Sequence, residues 1–109
     1  MSDFEIFLIK FYLEKLNKEN NIIFFVRKYY YDDCVAYIEK LLGEKVSKIM
    51  EYKAAALNEH IRIFSISDCY ENIRGYRATT VFVDSGLGDE FYQKIAMPTA
   101  KENCFLIHI

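Results

Sequence analysis

The hydrophobic pattern opens with a helix. From Phe4 to Lys18, Phe4, Leu8 and Phe11 follow one helical stripe and Ile6, Ile9, Leu13 and Leu16 a neighbouring one. More than half the circumference is apolar, which predicts a helix covered on several sides. Ser2 or Asp3 can cap its start, and the polar run Asn17 to Asn21 breaks it. Ile22 to Val26 is an unbroken apolar run of β-branched and aromatic residues, the pattern of an interior strand buried on both faces. Arg27 to Tyr31 then reads as a loop. Asp32 or Asp33 can cap a second helix with Val35, Ile38, Leu41 and Leu42 inward and Gly43 as its left-handed stop.

Farther along, Glu44 to Leu57 carries mixed signals, with good helical propensity around Ala54 to Ala56. Asn58, Glu59 and His60 nevertheless separate two runs suited to a hairpin, Tyr52 to Leu57 and Ile61 to Ser65, and the hairpin is the preferred reading. Asp68 to Tyr76 is a polar connection with Gly75 as its turn residue. Thr79 to Val83 is a second buried strand, closed by Asp84 and the glycine-containing loop Ser85 to Gly88. A short helix opened by Asp89 or Glu90 carries Phe91, Tyr92, Ile95 and Met97 and ends near Pro98, and Cys104 to Ile109 is a last strand. Under the right-handed crossover rule this order gives a three-layer α/β fold around a mainly parallel sheet of about four to five strands.

A length of 109 residues suits one domain, spanning residues 1–109, and the 52% apolar content is enough for a real core. The net charge of -2 supplies no global field for a polyphosphate, so nucleic-acid binding by this chain alone is disfavoured. Charges at Asp3, Glu5, Lys10, Glu14 and Lys15 interrupt the apolar start, which argues against a membrane span or signal peptide. Cys34, Cys69 and Cys104 lack metal-ligand spacing and read as small core residues of a cytoplasmic protein. His60 and His108 belong to no catalytic pattern, Ser85 lacks the first glycine of a nucleophile elbow, and the carboxylate pairs Asp32-Asp33 and Asp89-Glu90 suit helix starts. No cofactor or metal is implied.

Two segments carry candidate recognition chemistry. Arg27, Lys28, Tyr29, Tyr30 and Tyr31 form a basic-aromatic stretch at the carboxyl end of a strand, composed of the residue types that anchor protein interfaces. Thr80-Val81-Phe82-Val83-Asp84 has the form of a Walker B strand, although an aspartate in that place is also a common turn former or helix cap. With Ile73-Arg74-Gly75-Tyr76-Arg77 before it, and with the whole succession of elements, the chain resembles the ATPase core of viral large terminase subunits.

The resemblance implies a P-loop ATPase core missing its first strand, with Asp84 and Arg74 as a residual nucleotide or magnesium site. GxxxxGK[ST] is absent, and Ser85 stands where the family has a catalytic glutamate, so nucleotide hydrolysis is not expected. Loss of the central first strand forces the others to close up or to present an edge, which implies a homodimer or docking onto a partner sheet. The expected role is thus a non-catalytic protein-binding module or regulator of DNA packaging in the host cytoplasm. The alternatives are an inhibitor of a host enzyme or defence system and a residual nucleotide sensor.

Overall fold

A computed structural model describes residues 1–17, 19–43, 54–58, 60–67 and 76–109. Helix α1 (Asp3–Leu13) begins where the Ser2 hydroxyl accepts the Glu5 amide hydrogen, as a capping serine does. It is shorter than the apolar run suggests. Asn17 ends the segment with a side chain that accepts from the amides of Glu19 and Asn20, and the chain turns into strand β1 (Ile22–Arg27).

Helix α2 (Tyr31–Leu42) starts one residue ahead of the two aspartates. Tyr30 holds the cap position without a side-chain bond, so Asp32 and Asp33 complement the helix dipole from the first turn instead of capping it. Gly43 closes the helix at φ 68°, in the left-handed region. The expected hairpin is present as β2 (Ala54–Asn58) antiparallel to β3 (Ile61–Ile66), so the alanines that favour a helix lie in a strand. Pairing with the neighbouring strand overrides their local preference.

Strand β4 (Ala78–Asp84) is buried at every residue. A 3₁₀ turn (Ser85–Leu87) leads into a helical run composed of α3 (Asp89–Phe91), a π-turn (Tyr92–Ala96) and α4 (Met97–Thr99). Strand β5 (Ala100–Ile107) follows at once, four residues earlier than the apolar pattern suggests. Lys101 and Glu102 hide its start because an edge strand can leave such side chains in water.

Among the described strands the sheet order is β2-β3-β1-β4-β5, with β2 antiparallel to β3 and the others parallel. β1 and β4 pair directly, so the strands close up without a gap at the centre, and β5 lies at an edge. One face packs Phe24, Val26, Ile61, Ile63 and Phe82 under Ile9 and Leu13 of α1 and Val35 and Ile38 of α2. The other packs Ile23, Phe25, Phe64, Val81 and Val83 against Phe91, Ile95 and Ala96. The result is a three-layer α/β fold.

α1 departs from expectation in one respect. Only one side of it is covered: Ile9 and Leu13 are buried, whereas Phe4 is 67% and Phe7 61% exposed. The sheet can take a single helical face, and no described element packs on the other.

Phe82 is fully buried, with its ring stacked 5.1 Å from Phe24 and 5.6 Å from Phe105. Phe82→Ala is expected to cost about 3–5 kcal/mol, read as a lower urea midpoint at unchanged slope.

Candidate functional site

In an open α/β sheet the natural ligand crevice lies at the carboxyl ends of the strands, where the chain order reverses. Here that point falls between β1 and β4, because the chain leaves β1 toward β3 on one side and returns to β4 on the other. Arg27 ends β1 and Asp84 ends β4. The two candidate residues meet.

The Asp84 side chain has no solvent contact. Its Oδ2 accepts from the Arg27 backbone amide at 3.1 Å and from Arg27 Nε at 2.8 Å. Its Oδ1 accepts from Arg27 Nη2 at 3.1 Å and from the Gly86 amide at 2.9 Å. A carboxylate offers about four lone-pair directions, and donors of the chain itself fill them. Burial alone would raise the Asp84 carboxyl; the bonds from Arg27 and Gly86 outweigh it and hold the group below the usual carboxylate range.

The bond to Gly86 also makes Asp84 the cap of the Ser85–Leu87 turn. A Cβ on Gly86 would run into the Arg27 guanidinium, so the glycine is needed for close approach. A magnesium ion could reach the carboxylate only by displacing Arg27. Arg74, the other residue expected at this site, lies outside the described residues, as do Gly75 and Cys69.

The basic-aromatic stretch is divided by the structure. Arg27 is committed to Asp84 and lies 4.7 Å from the centroid of the Tyr30 ring. Tyr30 is half-buried, and Tyr31 opens α2 packed against the core. Lys28 and Tyr29 are exposed, Tyr29 to 85%, on a 3₁₀ turn (Lys28–Tyr30) rather than a loop. Of the five residues, these two present the free surface.

At the opposite end of the β1–β4 pair, Asn21 accepts from the Thr79 amide at 2.9 Å, and its own amide donates to the Arg77 carbonyl at 3.3 Å. The two strands are therefore tied at both ends.

A second carboxylate contact joins residues 103 apart in sequence. Both Glu5 oxygens accept from the His108 amide at 3.1 Å, and His108 Nδ1 lies 3.0 Å from Oε1. Burial opposes ionisation of Glu5, and the backbone and side-chain bonds from His108 overcome it, so its pKa is lowered. The signal was present: Glu5 falls on the Ile9–Leu13 stripe at i, i+4, i+8, a position that needs a partner when the stripe is buried. Its partner, at the far end of the sequence, has no such signal.

Burial pushes the Cys34 thiol up to about 12 and the Cys104 thiol up to about 11. Both are poor nucleophiles at neutral pH. Among the described residues no group of three or more His, Cys, Asp or Glu is placed to hold a metal, and no helix is long and apolar enough to cross a membrane.

Gly86→Ala and Arg27→Ala are expected to destabilise through the same loss, so the double variant should cost little more than the worse single one; additive denaturation energies would contradict a shared role. Because Glu5 and Asp84 are harder to protonate folded than unfolded, the unfolded chain binds more protons in acid. Their stabilisation is present above the ordinary carboxylate range and is lost as pH falls through the lowered values. Urea midpoints from pH 7 to pH 2 should fall less steeply in Asp84→Asn and Glu5→Gln than in the parent.

No protein family, curated protein or solved structure matches the chain.

Proposed function

We propose that the chain is a non-catalytic protein-binding module, with a terminase-like ATPase core as the origin of its scaffold and self-association or docking onto a packaging component as its mode of action. One observation carries this reading: at the switch point, where a nucleotide and its metal would sit, the Asp84 carboxylate is saturated by Arg27 and Gly86 of the same chain. Phosphoryl transfer depends on positioning and charge stabilisation, and a carboxylate neutralised in this way supplies neither.

Exposed Tyr29 and Lys28, just past the carboxyl end of β1, support a second protein-binding reading, inhibition of a host enzyme or defence system. Co-purification separates the two, since packaging proteins or a second copy support the first and a host target supports the second. A residual nucleotide sensor using Asp84 and Arg74 is the remaining alternative, and a Tyr29→Ala variant would not affect it.

Calorimetric titration with ATP and magnesium is expected to give no binding heat, and a phosphate-release assay no turnover above buffer. Magnesium-dependent hydrolysis that disappears in Asp84→Ala would refute the non-catalytic reading.

A further inference from the structure

We infer that the partner of this module is a second copy of the same chain, docked in antiparallel fashion on the outer face of α1 and the edge of β5 that pairs with no described strand. The inference rests on the protein-binding reading above and deepens it by naming the surface.

Phe4, Phe7 and Phe11 recur at i, i+3 and i+7 and form one stripe, 67%, 61% and 37% exposed. Phe7 and Phe11 stack on each other with ring centroids 6.1 Å apart, so the stripe is already an ordered surface. α1 lies beside the edge strand: Tyr12 packs 5.6 Å from the Phe105 ring, and Glu5 holds the amide of His108. Between helix and strand runs an open groove of about 560 Å³, lined by Met1, Phe4, Leu8, Phe105 and Leu106 among others. Met1 and Leu106 are themselves 43% and 41% exposed, which extends the apolar surface from the helix onto the strand.

At roughly 200 Å² for an aromatic side chain, the three phenylalanines leave about 300 Å² open to water. With the groove residues the patch reaches the upper range for a monomer, roughly 300–600 Å². Adding the outer edge of β5 brings it near the ~800 Å² per partner of a standard stable interface. That edge is eight residues long and pairs with no other described strand; Lys101 and Glu102 guard its start, whereas Asn103 to Ile107 carry neither charge nor proline.

Charge selects the occupant. Asp3 in the first turn of α1 and Lys10 in the last share one flank of the stripe, seven residues apart. An antiparallel copy sets each Asp3 against the other copy's Lys10, twice by symmetry. A strongly acidic or basic partner gains nothing from so balanced a rim. An anionic lipid surface gains little from a chain of net charge -2 whose outer helix face carries Asp3 beside Lys10, with Glu14 and Lys15 following it.

Sedimentation equilibrium of the full chain should give a mass twice 12.9 kDa at micromolar concentration. Phe7→Glu, a change at an exposed position, should weaken association at least ~30-fold, as expected for a hot-spot residue, with an unchanged circular dichroism spectrum. Lys10→Asp should weaken it as well, and Asp3→Lys with Lys10→Asp in one chain should restore it. A parent chain that stays monomeric up to about 0.5 mM, where a dimer of micromolar Kd would be almost fully formed, would overturn the inference. So would a dimer indifferent to Phe7→Glu, or binding to neutral or anionic vesicles that Phe7→Glu abolishes. None of these outcomes touches the non-catalytic reading, which the ATP titration tests separately.

Discussion

Asp84 is a charge with no solvent contact at the end of a strand buried along its whole length. Such a group is tolerated only when the chain supplies donors to replace water. Arg27 comes from the neighbouring strand and Gly86 from the turn that follows, so one carboxylate ties the register of β1 against β4 to the direction in which the chain leaves the sheet. The Asn21–Thr79 contact ties the same strands at their other end. Between these two anchors lies the centre of the molecule, and both helical layers are placed by reference to it.

The same arrangement fills the crevice that open α/β sheets commonly use for ligands. Arg27 is held by two of its guanidinium nitrogens and stands over Tyr30, which leaves the strand ends closed by the protein's own side chains. The surfaces left open are of another kind. They are aromatic and aliphatic, on the outer side of α1 and along β5, and such surfaces suit protein contact better than they suit chemistry. Exposed apolar surface is thus found on a flank of the sheet, away from the ends of β1 and β4.

Stability and surface are linked through Glu5. Its carboxylate faces inward on the same helix whose phenylalanines face outward, and its bond to His108 fixes that helix beside the edge strand. The groove between the two elements depends on that contact. A polar pair at the margin of the core thus sets the geometry of an apolar surface outside it.

Residue order alone was enough for the elements whose signals are local. Ile22 to Val26 and Thr79 to Val83 read as buried strands because each is continuously apolar or β-branched, Gly43 as a helix stop because few residues adopt positive φ, and the hairpin because polar residues separate two strand-like runs. From these and the crossover rule the layered fold followed. Only the tertiary structure decided which face of α1 meets the sheet, since both of its faces are apolar and periodicity cannot choose between them. It also decided that Arg27 serves Asp84 and that Glu5 serves His108, pairings across 57 and 103 positions. Contacts of that kind leave no trace in neighbouring residues, because what brings the partners together is the packing of the whole sheet.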